Sequence, residues 1–279
     1  MSESYHTPVL LNESICGLNI QPGGVYVDVT FGGGGHSREI LRRMNDNAPG
    51  GHLFGFDQDK DVEDRLLELN EDHRFTFVRS NFRYMSNFLR YHGVDKVDGV
   101  LADLGVSSHH FDEKERGFSF RFQGDLDMRM NQRSGVSAAD VINKYDEKKL
   151  ADVLYQYGEL RNSRYLASNI VHSRPINTTT ELADIARHQS AQLFQAVRIE
   201  VNHELEALKE MLAQAETVIK PGGRLVVITY HSLEDRIVKQ VMAGDGWKKI
   251  NKKVITPSTD ELNNNSRSRS AKLRIAEKV

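Results

Sequence analysis

Three aspartates stand where a carboxylate could do chemistry. Asp28 precedes a run of four glycines, Asp57 follows them by about 20 residues, and Asp103 closes a later apolar stretch. Each falls at or near the end of a strand-like run: Gly24-Val-Tyr-Val-Asp-Val-Thr30, His52-Leu-Phe-Gly-Phe56 and Val97-Asp-Gly-Val-Leu-Ala-Asp103. Glycines Gly32 to Gly35 at a strand-to-helix turn let backbone approach a ligand closely, and the following helix aims free N–H groups at it. An acidic residue some 20 positions further on suits a ribose hydroxyl pair. The chemistry implied is the binding of a nucleoside-containing cofactor. NAD and S-adenosylmethionine both satisfy the pattern. A P-loop does not, because no Gly-Lys-Ser/Thr follows the glycines.

The elements that must position these residues alternate strand and helix up to about residue 105, with Phe75-Thr-Phe-Val78 as a further strand. Such alternation predicts a parallel sheet with helices on both faces and ligands at the carboxyl ends of the strands. The alternation then stops. Residues 106–135 have no clean period, and 137–220 read as helical. Ser137-Ala-Ala-Asp140 and Thr178-Thr-Thr-Glu181 look like capping boxes. One long helix is expected over 190–219, from apolar residues stepping by three and four, and Pro221-Gly-Gly223 ends it before a buried strand, Arg224–Tyr230. The predicted fold is α/β, one Rossmann-like parallel-sheet domain interrupted after its fourth strand by a helical subdomain. The expected domains are 1–108 with 216–279, and 109–215.

Composition narrows the classes. The 279 residues are 39% hydrophobic and 27% charged, enough for a packed core. There is no apolar run of transmembrane length, the first residues lack a signal-peptide pattern, and Cys16 is the single cysteine. A cytoplasmic protein without membrane contact, disulfide or metal site is expected. A net charge of −2 argues against a general nucleic-acid coat, yet 248–279 is locally basic and could form a phosphate-contacting tail.

A helix, a Pro-Gly-Gly turn and a strand form a frequent passage in class I methyltransferases, and Asp28, four residues before the glycine run, resembles their first motif. The likeness then becomes much closer. The chain resembles the RsmH/MraW family, S-adenosylmethionine-dependent methyltransferases of small-subunit (16S) ribosomal RNA. The segments carrying it include His6-Thr-Pro-Val-Leu-Leu11, Gly32–Ser37, Asp98–Ser108, Arg116-Gly-Phe-Ser-Phe120, Leu126-Asp-Met-Arg-Met130 and Tyr157-Gly-Glu159. Phe194–Ile199, His231-Ser-Leu-Glu-Asp-Arg236 and Arg267–Arg274 complete the series over nearly the whole chain. The resemblance implies methylation of a cytidine N4 amine in the decoding region. For the cofactor it implies Gly34, Gly35 and His36 in the turn, Asp57 at the ribose, Phe82 beside the adenine and Asp103 near the methionine end. His110 stands where the family usually has Gln. The family's linkers around 187–191 and 243–247 are shorter here.

Cytosine's amine is a poor nucleophile. It must be held in line with the sulfonium methyl and must give up a proton. Asp103 is proposed as organiser of the donor end and acceptor for the amine, with Ser107 and Ser108 orienting the base. His231 is a further candidate facing substrate, while Ser232 with Asp235 is expected to cap the next helix. Arg116, Phe118 and Phe120 could stack bases and meet phosphate, as could Arg267, Arg269, Lys272 and Arg274 of the tail. The expected partner is 16S rRNA within the small ribosomal subunit. A homodimer packed through the 190–219 helix is left open. The alternatives are a nucleotide-cofactor oxidoreductase, resting only on the glycines and Asp57, and a non-catalytic ribosome-assembly factor.

Overall fold

The computed structural model describes residues 8–44, 50–66, 69–106, 113–133 and 135–279. The chain forms two compact units, Met1–Gly105 with Glu206–Val279, and Val106–Leu205.

In the first unit, the strands are β1 Val25–Asp28, β2 His52–Asp57, β3 Phe75–Arg79, β4 Val97–Asp103, β5 Ile219–Thr229, β6 Trp247–Lys249 and β7 Lys272–Lys278. They form one sheet in the order β3-β2-β1-β4-β5-β7-β6. The first five are parallel, and β7 runs antiparallel between β5 and β6. Strand order reverses between β1 and β4, which is where a ligand crevice opens in sheets of this kind. The central strands are apolar on both faces because both faces are covered. Val27, Val100 and Val227 enter one buried layer, while Tyr26, Leu101 and Val226 enter the other.

Helices α1 Leu11–Leu18, α2 Gly35–Arg43 and α3 Met85–Tyr91 precede the second unit. That unit holds α4 Ala138–Lys144, α5 Glu147–Gly158, α6 Ser163–His172, α7 Thr179–Ala186 and α8 Ser190–Asn202 around its own apolar core. Both capping boxes form, Ser137 with Asp140 and Thr178 with Glu181. Residues 113–133 lack regular structure apart from one short turn, and side chains hold them in place. Asn202 accepts from the Met130 N–H (2.8 Å) and donates to the Met128 carbonyl (2.8 Å).

Three expectations are corrected here. The helix expected over 190–219 is two helices, α8 and α9 Glu204–Val218, because His203 adopts a left-handed conformation (φ 51°). The apolar stepping continues across that break, so the pattern alone hides it, and the continuous helix invoked for a homodimer does not exist. β5 begins at Ile219 rather than Arg224, and Pro221-Gly-Gly223 sits in a register slip against β4 between Val97 and Gly99. The basic C-terminal stretch is no free tail, since Lys272–Lys278 is a sheet strand. Two helices complete the unit, α10 Ser232–Val241 before β6 and α11 Thr259–Asn264 before β7.

Candidate active site

The glycine turn is built by β1 and its neighbours. Beyond Asp28 the backbone keeps bonding to both flanking strands: Val29 N–H to Leu101 (2.9 Å) and Phe31 N–H to Phe56 (2.8 Å). Gly34 then caps α2 at φ 74°, a conformation costly for any residue with a Cβ. Asp28 fixes the turn from within. It accepts from Ser37 Oγ (2.7 Å) and from the Thr30 N–H (3.1 Å), and it is 1% exposed. Burial raises its pKa, opposed by the neighbouring His36 charge and these hydrogen bonds. Asp28 is therefore a structural staple and not one of three carboxylates open on the rim.

Asp57 at the end of β2 faces the turn. Its Oδ2 accepts from the Gly32 N–H (2.8 Å) and its Oδ1 from the Asp59 N–H (2.9 Å). These bonds orient the carboxylate, and a carboxylate oxygen has lone-pair capacity for a hydroxyl donor besides. The loops after β2 and β3 meet where Asn81 Nδ2 donates to Gln58 Oε1 (3.0 Å). Asn81 also caps the short turn that starts at half-buried Phe82.

Asp103 ends β4 across the switch point. Its N–H donates to Thr30 Oγ1 (2.7 Å), and its Oδ1 accepts from the Tyr230 hydroxyl (2.7 Å). His36 Nδ1 lies 3.8 Å from its Oδ2, and the Asp103 side chain keeps 23% exposure, so a ligand can reach it. Desolvation pushes its pKa up to about 6, against the His36 charge and the Tyr230 hydrogen bond, with Asp28 and Glu234 adding to the rise. The Tyr230 phenol is itself raised, by burial first and then by the Asp103 charge. His36 Nε2 donates to the Val9 carbonyl (3.1 Å), which ties α2 to the segment before α1.

The structure thus gathers Gly34, Gly35, His36, Asp57 and Asp103 at the carboxyl ends of β1, β2 and β4. Ser107, Ser108 and His110 lie outside the described residues. The cap of α10 is displaced by one residue from expectation. His231, not Ser232, is the N-cap, and Glu234 rather than Asp235 completes the box. The His231 ring is thus committed to the helix end. Asp235 instead receives Arg274 (2.7 and 3.1 Å), so Arg274 is paired within the fold. Thr30 and Tyr230 were not foreseen as site residues. Their one sequence signal was position: each follows a strand end on the ligand rim.

The proposed nucleic-acid residues of 116–122 divide. Arg116 is 4% exposed and donates to the carbonyls of Arg129 (3.1 Å) and Met130 (3.3 Å), and Phe118 is equally buried in the helical core. Neither presents a surface to RNA. Phe120 is 38% exposed with its ring edge on Phe194, and Phe122 is 46% exposed. Arg116→Ala is expected to destabilise by about 2–3 kcal/mol, because it leaves two carbonyls short of a charged donor. Urea denaturation reads the loss. The salt dependence of RNA binding by the folded variant stays as in the parent, whereas a slope lower by about one would restore Arg116 as a phosphate contact. Arg269 is exposed, while Arg267 and Lys272 are half-buried.

The model of the MraW methylase family matches residues 3–279. A protein of Phocaeicola vulgatus named ribosomal RNA small subunit methyltransferase H is 57% identical over 309 aligned positions, covering all of both chains. Its namesakes are 58% identical in Bacteroides fragilis (99% of this chain, 98% of theirs) and 49% in Flavobacterium johnsoniae (99% and 98%). Among solved structures, Thermus thermophilus TrmN aligns with TM-score 0.48 at 12% identity, over 97% of this chain and 48% of its own. Aeropyrum pernix fibrillarin with bound S-adenosylmethionine aligns at 0.45 and 10%, over 99% and 84%. With that family's model spanning nearly every residue and identities of 49–58% to the three relatives named, the chain belongs to the MraW methylase family and is a methyltransferase that uses S-adenosylmethionine.

Proposed function

We propose that the chain methylates the exocyclic amine of a cytidine in the decoding region of 16S rRNA, within the small ribosomal subunit and in the cytoplasm. The observation that carries this reading is Asp103, a reachable carboxylate at the switch point, facing the glycine turn. The name shared by the relatives supports ribosomal RNA as acceptor. Among the described residues no helix is long and apolar enough to cross a membrane.

The residues present fit the methyl donor. Gly34 and Gly35 leave the turn without side chains, and a Cβ on Gly34 would lie 2.8 Å from the Phe31 ring. In this reading Gly34, Gly35 and His36 hold the methionine portion, Asp57 takes the ribose hydroxyls, and Phe82 packs beside the adenine. When bound, S-adenosylmethionine supplies an electrophilic methyl carbon on a cationic sulfur. The chain must then hold the amine in line and receive its proton. Asp103 suits the second task, because an acceptor with pKa near 6 is ionised at neutral pH yet still basic. Ser107 and Ser108, beyond the strand that ends at Asp103, orient the base, and His110 completes the donor site. The 109–215 segment recognises RNA through exposed side chains such as Phe120, helped by Arg267, Arg269 and Lys272. A homodimer has no continuous 190–219 helix to pack on, and sedimentation of the purified protein tests it.

The deciding experiment is transfer of labelled methyl from S-adenosylmethionine to small subunits and to naked 16S rRNA, with the product nucleoside identified. N4-methylcytidine at one position is the expected product. Label in another nucleoside, or none, would refute the reading. The oxidoreductase alternative has no support from the family found, and binding of S-adenosylhomocysteine without NAD disposes of it directly.

A further inference from the structure

Tyr230 has no part in the roles assigned so far, yet it is the best-anchored contact of Asp103. Its backbone N–H donates to Glu234 Oε2 (2.9 Å), so the capping box of α10 fixes where the residue sits. Its hydroxyl donates to Asp103 Oδ1 (2.7 Å). The other side of the carboxyl is different. His36 has its Nε2 turned to the Val9 carbonyl, so its Nδ1 edge faces Oδ2, at 3.8 Å, beyond hydrogen-bond length. One carboxylate oxygen is locked and the other is open.

We infer that Tyr230 is a positioning residue for the methyl-transfer step: its phenol locks Oδ1 of Asp103 and leaves Oδ2 to receive the amine proton. The inference rests on the reading of Asp103 as acceptor. In the step, the amine lone pair forms the N–C bond as the C–S bond breaks, its electrons staying on sulfur. The nitrogen, now cationic, passes a proton to Oδ2, and Asp103 leaves the step as a neutral acid. The groups facing this carboxyl come from each element packed there. Asp28 of β1 and Glu234 of α10 oppose its ionisation, and His36 of α2 and Tyr230 favour it. Glu261 of α11 acts on the phenol, helping to keep it protonated and a donor. Removing the phenol hydroxyl takes away a donor to the ionised form, so the carboxyl becomes harder to ionise.

The test is Tyr230→Phe, which keeps the ring. With 13C-labelled aspartate, and Asp103→Asn to assign the resonance, the Asp103 carboxyl midpoint should rise by about one pH unit. The acid limb of kcat for methyl transfer should rise with it, while the Kd for S-adenosylhomocysteine stays within about twofold. An unmoved midpoint, or affinity lost as steeply as kcat, would overturn the inference and make Tyr230 a donor-site or packing residue. Should Y230F not fold, the parent protein still decides. The 13Cζ resonance of one tyrosine must titrate with the Asp103 midpoint and stop doing so in Asp103→Asn. Absence of that coupled signal overturns the inference. If the parent transfers no methyl to small subunits, the functional reading fails, while the carboxyl titration still reports on Tyr230.

Discussion

Asp103→Asn should lose methyl transfer by at least about a hundredfold while making the protein more stable at neutral pH. The two effects have one cause. Burial raises the folded pKa of Asp103 from 3.8 to about 6. A carboxyl of this kind binds its proton more tightly when folded than when unfolded. Below about pH 4 both states are protonated, and the group contributes nothing to the pH dependence. As pH rises from about 4 to about 6 the unfolded chain ionises first, and stability falls. Above that the full cost remains, about 2 kcal/mol for a site partly open to water. Asparagine removes the cost and preserves the contacts. Its carbonyl accepts from Tyr230, and its NH2 takes the place of Oδ2. It cannot take a proton from an amine. Thermal melts should therefore show the variant above the parent at pH 7.5 and level with it near pH 4. Turnover near the parent's would remove Asp103 from the reaction, and equal melting at both pH values would mean that the carboxylate is not desolvated.

What the sequence disclosed about this site was local. A glycine run after a strand, an acidic residue after the next strand and two capping boxes each occupy a few adjacent positions, and local sterics and hydrogen bonding make them legible. What it concealed depends on strands that neighbour each other only in the sheet. Thr30 and Tyr230 meet Asp103 because β4 lies between β1 and β5, across 73 and 127 positions of chain. Arg274 finds Asp235 because β7 returns antiparallel beside β5. The alternation of arginine and phenylalanine in 116–122 suggested a surface that stacks bases. Composition carries no direction, though, and Arg116 and Phe118 point inward while Phe120 and Phe122 do not. The break at His203 was hidden for a similar reason, since Val201 and Leu205 keep the helical step although a left-handed residue stands between them. At α10, His231 and Ser232 both begin an acceptable box, and the buried Glu234 decides between them by bonding the Tyr230 and His231 N–H groups.

Gly35→Ala tests the glycine turn most directly. Gly35 does not have a positive φ, so the cost of a side chain there is steric and not conformational. A Cβ would lie 2.2 Å from Pro8 Cγ and 3.1 Å from Pro8 Cδ. The ring belongs to a segment held at two further points: the Val9 carbonyl accepts from His36, and the Leu10 N–H donates to Glu261 Oε1 (2.8 Å). Relief requires that this segment lift or that the turn move. Lifting releases the bond that fixes the His36 ring, and moving the turn displaces Gly34 and the start of α2. Either way the donor cradle changes shape. The expected loss of stability is about 1–3 kcal/mol, the usual cost of overpacking. Affinity for S-adenosylhomocysteine should fall at least about tenfold, equivalent to about 1.4 kcal/mol. Gly93→Ala is the control, since Gly93 has φ 73° and nothing lies within 4 Å of the position a Cβ would take there. That variant bears backbone strain alone, about 1 kcal/mol, and should melt earlier yet bind the cofactor product normally. Calorimetric titration of both separates a shaped cradle from general weakening. If G35A bound as tightly as the parent, the close approach of Pro8 would have no bearing on the methyl donor, and the turn's glycines would serve packing only.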